Sequence, residues 1–135
     1  MVNSIKDKIV LKIVFTLLFI LNFHNLSFAE NYNDNALLCT LNPEGSEFGL
    51  WFDNNTVSQI GVENFKTIID YKEPYKQTSE EKISWLKVTL DINSLELKLG
   101  SMEKSFAKCS KVKSFQVLMI KIKDIINVEM NKNTI

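Results

Sequence analysis

The chain has 135 residues, and its 16 lysines, with no arginine, balance 16 acidic residues, so that the formal net charge at pH 7 is zero. Nucleic-acid-binding domains usually carry a basic face, and this balance argues against a nucleic-acid partner. Without arginine, the chain also cannot form the bidentate guanidinium pairs that many phosphate and carboxylate sites use.

The first 29 residues have the pattern of a secretory signal peptide. An almost wholly apolar run over residues 13–23 follows three lysines, and the segment closes on Ser27-Phe28-Ala29. A basic start, an apolar run of about 7–15 residues and small residues at positions −3 and −1 are the three parts of such a signal. We therefore expect cleavage after Ala29 and a periplasmic or secreted protein. A retained membrane anchor is the alternative, but a spanning helix needs about 20 apolar residues.

The mature chain would start at Glu30 and would be one domain in length. Cleavage removes three lysines and one aspartate, which leaves 13 lysines against 15 acidic residues and a net charge of −2. It also removes His24, the only histidine. Catalytic sites of the Ser-His-Asp or Cys-His type and histidine metal sites therefore have no histidine to use. We predict a protein that is not an enzyme and that holds no metal or cofactor.

Two cysteines, Cys39 and Cys109, remain in the mature chain. An even cysteine count in a small exported protein argues for a disulfide bond. In the chain-entropy model, closing a loop of about 70 residues stabilises a fold by about 4 kcal/mol. A redox or metal role is the alternative, but the two cysteines lack the Cys-x-x-Cys spacing.

The first half of the mature chain predicts four short strands separated by turns. The second of them alternates, with Phe48, Leu50 and Phe52 on one face, and the third should end where Gly61 breaks it. The polar stretch at residues 72–82 reads as an exposed loop. The predicted strands cover residues 36–41, 48–52, 56–60 and 65–71, although the paired Ile68 and Ile69 of the last segment would also fit one helical turn.

Residues 82–99 predict a β-hairpin. Apolar side chains alternate with polar ones on both sides of the turn formers Asp91, Asn93 and Ser94. This period of two is typical of half-buried strands. We expect Ile83 and Trp85 to continue the first strand of the hairpin. The apolar phase changes at residues 86–87, which indicates a bulge or an end of the alternation.

Short strands with turn signals every 8–12 residues predict a mainly β fold, either a small antiparallel sandwich or a barrel. The disulfide would tie its first strand to its last. We expect a β-rich domain over residues 30–110, followed by an amphipathic helix and tail over residues 111–135. The tail, residues 131–135, should fray. Residues 112–130 could instead form an outer strand, but the helix is favoured by apolar residues at helical spacing, namely Phe115, Leu118, Met119, Ile122, Ile125 and Ile126.

Candidate functional groups are few. Glu44 with Glu47, and Glu80 with Glu81, could in principle act as a carboxylate pair, but neighbouring acids on loops are usually solvated charges. Residues 53–55 lack the spaced acids of a calcium loop and read as a turn. Three aromatic side chains could lie either in the core or at a partner contact. Trp85 is expected in the core, whereas Trp51 and Tyr75 are candidate partner-binding residues.

The order of these features resembles small exported bacterial β-rich proteins of unassigned function. The resemblance rests on the signal peptide, a cysteine near the mature start, Ile83-Ser84-Trp85, an aspartate turn before an alternating strand, and a late cysteine. In those proteins the turn reads Asp-Arg-x-Thr-Gly, and here Asp91-Ile92-Asn93-Ser94-Leu95 stands in that place. The layout also looks like periplasmic inhibitors of C-type lysozyme, although their Ser-Gly-x-x-Tyr motif is absent. The resemblance implies export and a β-rich fold.

Three functions are consistent with these features. We expect an exported binding module, inhibitor-like in kind, whose partner is a protein, a small ligand or a glycan. The alternative is a structural envelope protein that assembles through its C-terminal helix. An enzyme is the third and least favoured.

Overall fold

The computed structural model describes residues 8–14 and 32–132. The chain divides into two units, Met1–Glu30 and Asn31–Ile135. In the first unit, residues 8–14 are helical and exposed. The segment that ends at Ala29 lies outside the described residues, and the signal peptide stays a prediction. In the described part of the chain, no helix combines the length and the apolar character that crossing a membrane requires.

The second unit contains an antiparallel sheet of nine strands followed by a helix. The strands are β1 (Asn35–Leu41), β2 (Glu47–Asp53), β3 (Thr56–Glu63), β4 (Lys66–Pro74), β5 (Lys76–Ser79), β6 (Lys82–Trp85), β7 (Val88–Asp91), β8 (Glu96–Leu99) and β9 (Ala107–Val112), and the helix is Phe115–Lys132. Their order across the sheet is β4-β3-β2-β1-β9-β8-β7-β6-β5. The mainly β prediction is therefore confirmed.

The sheet curls into a nearly closed barrel. β4 and β5 form its two opposite edges, yet only Tyr75 separates them in sequence, so the two edges must meet at that residue. The Tyr75 backbone N–H donates to the carbonyl of Asn55, 3.2 Å away, just before β3. Further along, the indole N–H of Trp85 on β6 donates to the Tyr71 hydroxyl on β4 over 2.8 Å, so that side chains connect the two sides of the opening. The structure thus decides between the two predicted architectures in favour of the barrel.

The barrel interior is filled by the inward side chains of alternate strand positions. Phe52 lies at its centre and contacts the rings of Tyr32, Tyr75 and Trp85, with centroid separations of 4.9, 5.3 and 5.6 Å. The ring pairs meet edge to face, which is the arrangement that aromatic quadrupoles favour. Trp85 is buried, as predicted for a core residue.

The disulfide joins Cys39 on β1 to Cys109 on β9. The two residues are direct partners in the β1–β9 register, and both side chains are buried inside the barrel. The first and last strands of the chain are therefore neighbours in the sheet, and the disulfide bond links them. The disulfide prediction is confirmed.

The C-terminal helix packs on the outer face of the sheet. Leu118, Ile122 and Ile126 are its buried residues, and they form a second apolar cluster with Ala36 and Ile60. The helix prediction is confirmed over the outer-strand alternative, because a stripe with spacing four covers one patch of sheet.

The ends of the helical segment differ in part from the prediction. Residues 111 and 112 still belong to β9, and the helix begins only at Phe115. At the other end, Asn131 and Lys132 are helical rather than frayed. Residues 133–135 lie outside the described part of the chain.

Two strand boundaries were wrong in the sequence analysis. Gly61 does not end β3, which continues to Glu63. An added Cβ at Gly61 would lie only 2.6 Å from a carboxylate oxygen of Asp70, so the missing side chain makes room for that group. The predicted exposed loop at residues 72–82 is also wrong. Its residues complete β4, form β5 and begin β6, because the chain here closes the barrel.

The hairpin at residues 82–99 is confirmed only in its second half, where β7 and β8 pair. Ile83 and Trp85 do not continue β7 but form β6, which turns back on it. The change of phase is therefore a turn, with Leu86 at a φ of +49°. In the β7–β8 turn, the Asp91 carboxylate accepts from the backbone N–H groups of Asn93 and Ser94 at 2.9 and 3.0 Å. The Ser94 N–H group is the main reason why the pKa of Asp91 lies below its usual value.

Candidate functional site

A cavity of about 390 Å³ lies between the start of the C-terminal helix and the outer faces of β2, β3 and β4. We call it the Trp51 groove. Four polar side chains also line it, but its walls are mainly apolar and consist of Trp51, Ile60, Ile68, Ile69, Phe115 and Met119.

Trp51 reaches the groove because it is out of phase with the core residues of β2. Phe48, Leu50 and Phe52 are buried within the barrel, so the alternation of the strand directs Trp51 to the outer face. Its ring lies 5.2 Å from the ring of Phe115, centroid to centroid, at 42°. Trp51 is partly exposed, and one wall of the groove is therefore a large aromatic surface.

A row of paired residues extends from Trp51 across the sheet. Trp51 is opposite Ser58 on β3, and Ser58 is opposite Lys72 on β4. Lys72 is exposed, and so is Asp53, the other charged lining residue. The groove therefore has an apolar body and charges of both signs within its lining.

Two local features hold the helix in place beside Trp51. The Ser114 hydroxyl accepts from the Val117 backbone N–H at 3.2 Å, an N-terminal cap that fixes where the helix begins. Gly49 on β2 lets the helix approach the sheet closely. A Cβ at that position would lie 2.9 Å from Ile122 Cδ1 and 3.1 Å from Leu118 Cδ1.

The apolar lining is far from fully covered. Phe115 is 37% exposed and Ile69 is 65% exposed. Ligand sites are typically concave, mainly apolar and about 300–1,000 Å³ in volume, with a few polar groups that orient the ligand. The Trp51 groove meets each of these conditions, and it can bind an amphipathic molecule by burying its apolar part on Trp51 and Ile69.

Tyr75, the other candidate contact residue, lies mainly inside the barrel and is only 9% exposed. Its hydroxyl donates to the Asn33 side-chain oxygen over 2.7 Å, and that oxygen also accepts from the Asn55 backbone N–H over 2.9 Å. Burial is the main cause that raises the pKa of Tyr75. The structure thus separates Tyr75 from Trp51, and a partner contact at Tyr75 stays a prediction.

The carboxylates considered from sequence lie in different turns. Glu44 is exposed in the β1–β2 connection and Glu47 begins β2, whereas Glu80 and Glu81 form the exposed β5–β6 turn. The segment at residues 53–55 ends β2 and makes a tight turn, with both asparagines at positive φ. Across the described ranges, no three His, Cys, Asp or Glu side chains are grouped so that they could hold a metal ion.

Sequence reasoning found Trp51 but missed the residues that complete the groove. Ile68, Ile69, Phe115 and Met119 were assigned only to a strand and a helix. The available signal was the phase of β2, because Trp51 alternates with the core residues and must face whatever covers the outer surface.

Comparisons with models of known families, with curated proteins and with solved structures found no match to this chain.

Proposed function

We propose that this protein is an exported binding module and that the Trp51 groove is its ligand site. The observation that carries the proposal is a partly exposed tryptophan in the wall of an apolar cavity, next to a second exposed aromatic ring. Export is supported by the signal-like pattern of residues 1–29 and by the disulfide, which is typical of oxidising compartments.

The ligand we propose is a small amphipathic molecule. Its apolar part would cover Trp51, Ile69 and Phe115, which would otherwise expose large hydrophobic areas to water. Its polar end would lie beside Lys72 and Asp53. Aromatic walls also accept the flat apolar face of a sugar ring, so a glycan belongs to the same ligand class.

Binding can be tested with the apolar anion 8-anilinonaphthalene-1-sulfonate as the probe. We expect saturable binding to the unit Asn31–Ile135, with energy transfer from tryptophan to the dye. Trp51→Ala should weaken this binding at least about tenfold, because a hot-spot aromatic is worth about 2 kcal/mol or more. Phe65→Ala is the matched control, since Phe65 is an exposed aromatic outside the groove. Equal dye binding by both variants would count against the groove as the site.

Removal of residues 111–135 is not a suitable way to test the role of the helix. Such a truncation removes the last two residues of β9 and uncovers Ala36 and Ile60. If the truncated protein failed to bind the dye, the cause would be unfolding and not the loss of a helix contact. Phe115→Ala leaves the buried helix residues in place and removes one wall of the groove, so it is the better variant.

A structural role through the helix is the second candidate, and one observation favours it. Several large apolar side chains on the helix are exposed, among them Ile120 at 59% and Val128 at 54%. If the helix mediates assembly, Ile120→Lys should abolish association with envelope fractions and leave dye binding unchanged. Retention of the association by Ile120→Lys would exclude this route.

The likeness to lysozyme inhibitors leads to one further test of the exported-module proposal. We expect the oxidised protein to bind a protein partner through the rim of the groove if it acts as an inhibitor. A lysozyme assay with added protein checks this directly, and full lysozyme activity at an excess of protein would exclude that role.

A further inference from the structure

Within residues 32–132, no strand pairs with the outer edge of β4 for most of its length. β4 is the last strand in the sheet order, and among the described residues only its far end approaches the other side of the opening, where Tyr71 accepts from Trp85 on β6 and Tyr75 leads into β5. Residues 66–70 come before that contact. The β3–β4 hairpin is also poorly covered there, with Phe65 at its tip 45% exposed.

The tight turn of this hairpin determines which backbone groups point outward. Asn64 and Phe65 both have positive φ, and Glu63 is the register partner of Lys66. A two-residue turn of this kind is closed by a hydrogen-bonded pair, and the pairs alternate along an antiparallel ladder. The N–H and C=O groups of Thr67 and Ile69 therefore point away from β3, toward the free edge.

An unpaired edge with regular geometry is a template for another strand. Such edges are normally protected by charged residues and bulges, and β4 has both. Lys66 and Asp70 carry the charges, and the Asp70 carboxylate accepts from Gln59 Nε2 over 3.2 Å, a bond that a pair across the edge would have to replace. Asp70 is itself the extra residue of the bulge, because Gln59 pairs with Tyr71 and Ile60 pairs with Ile69. Whether these two charges repel or attract an added strand depends on the charges of the strand that lies opposite them.

We infer that the edge of β4 binds the same edge of a second copy of this chain, antiparallel across a two-fold axis. Only registers that place outward groups opposite outward groups can form the ladder. Three registers meet this condition, and they pair Thr67 with Thr67, Thr67 with Ile69, or Ile69 with Ile69.

The charges select one of the three registers. Pairing Ile69 with Ile69 places Asp70, the extra residue of the bulge, opposite Ile68 within the ladder, and Lys66 then has no acidic residue opposite it. Pairing Thr67 with Thr67 places Lys66 opposite Ile68 and leaves its charge without a partner. Pairing Thr67 with Ile69 places Lys66 opposite Asp70 of the second copy, and the symmetry produces this pair twice. Opposite charges across a strand pair are stabilising.

In this register, Thr67 and Ile69 of each copy form two hydrogen-bonded pairs, with four backbone hydrogen bonds in all. Ile68 meets its own equivalent at the centre. The bulge at Asp70 ends the ladder, and the two-fold contact uses the same edge of both copies, so that it closes as a dimer instead of growing into a fibre. Thr67 and Ile69 also line the Trp51 groove, and the dimer would therefore place two grooves side by side.

A contact between two five-residue strands is small, so the dimer should be weak. Interfaces below about 1,200 Å² are typical of transient complexes, and we expect a Kd between about 10 µM and about 1 mM. The inference rests on the edge of β4 and is independent of which ligand occupies the groove.

Sedimentation velocity across this concentration range tests the dimer, using the unit Asn31–Ile135. Lys66→Glu should raise the Kd at least about tenfold, because like charges would then face each other twice. Asp70→Lys should do the same. The double variant Lys66→Glu with Asp70→Lys should restore dimerisation. Lys98→Glu, an equal charge change on the exposed face of β8, is the control and should leave the Kd unchanged.

Amide hydrogen exchange tests the register independently of any substitution. Exchange at Thr67 and Ile69 should slow as the protein concentration rises, whereas Lys66 and Ile68 are already bonded within the hairpin. A protein that stays monomeric up to about 1 mM overturns the inference. A dimer whose Kd is unaffected by Lys66→Glu, or whose concentration-dependent protection lies elsewhere, overturns it equally, and in that case another extended peptide becomes the better occupant for this edge.

Discussion

The two faces of β1 and β2 pack against very different neighbours. On the inner face, Leu37, Leu50 and Phe52 are fully enclosed by the other strands of the barrel. On the outer face, Ala36 and Trp51 are covered by a single helix, which leaves the Trp51 groove open. The enclosed face can contribute more to stability, because all its apolar area is removed from water. The half-covered face keeps apolar area available for a ligand.

The largest effect should come from the centre of the enclosed face. We expect Phe52→Ala to lower the free energy of unfolding by about 3–5 kcal/mol, since it removes a ring that touches three others and leaves a cavity. Phe115→Ala, on the half-covered face, should cost about 1 kcal/mol or less. Urea unfolding at pH 7 measures both. Equal losses would show that the two faces do not differ in the way described.

Loss of the disulfide should lower the free energy of unfolding by nearly as much as Phe52→Ala, and the bond lies on the same enclosed face. Its two cysteines are 70 positions apart, and Cys39→Ala with Cys109→Ala should cost about 4 kcal/mol in the chain-entropy model. Where the variant is still folded, dye binding at the Trp51 groove should be unchanged. Reduction of the unsubstituted protein gives an independent check. A stability equal to that of the oxidised protein would contradict the expectation.

A change at Gly49 should affect the half-covered face alone. Gly49→Val places atoms where Leu118 and Ile122 already lie, and overpacking of this kind costs about 1–3 kcal/mol. The helix should shift outward, and the Trp51 fluorescence should change because Phe115 moves with it. Gly49→Ala should produce the same changes at smaller size. A Gly49→Val protein with unchanged stability and fluorescence would show that the helix does not depend on this close approach.

The smallest effect concerns the hydroxyl of Tyr32, which is buried and has no hydrogen-bond partner among the described residues. Tyr32→Phe should therefore be neutral or stabilising, by up to about 1 kcal/mol. Burial raises the pKa of Tyr32 to about 12. The pKa of Tyr32 in the folded protein therefore lies above the value near 10 in the unfolded chain. Below about pH 10 the shift does not change the free energy of unfolding, and between about pH 10 and pH 12 it lowers this free energy, because the unfolded chain releases the proton first.

Unfolding experiments between pH 9 and pH 12 check this point, and Tyr32→Phe should lose stability less steeply than the unsubstituted protein over that interval. At pH 7, Tyr71→Phe is the matched control of opposite sign, because it removes the acceptor of the Trp85 indole N–H and should lower the free energy of unfolding. A strong loss of stability in Tyr32→Phe at pH 7 would indicate a hydrogen bond at the Tyr32 hydroxyl.

The enclosed face was largely predictable from sequence, because its signal is local. Alternation placed Phe48, Leu50 and Phe52 on one side of β2, and the even cysteine count indicated the disulfide. Strand β5, Lys-Gln-Thr-Ser, was missed for a physical reason. It lies at the edge of the barrel, is largely exposed, and so carries no apolar alternation.

The half-covered face was predictable only in part. The phase of β2 directs Trp51 outward, and helical spacing predicts the buried stripe of the C-terminal helix. Where that helix lies on the sheet depends on Gly49, whose role is visible only once Ile122 is beside it. The groove is therefore a product of two distant segments, and no window of sequence contains it.

The bond between β1 and β9 also determines how this unit would respond to mechanical force applied at its two ends. Force applied at Tyr32 and Lys132 passes through the disulfide, which bypasses all the strands between Cys39 and Cys109. Only the segments outside the covalent loop, about 30 residues, can be pulled out, for an extension of about 100 Å. In the oxidised protein, the seven strands between the two cysteines would then not be extended by the force, whereas the reduced chain could extend over its whole length.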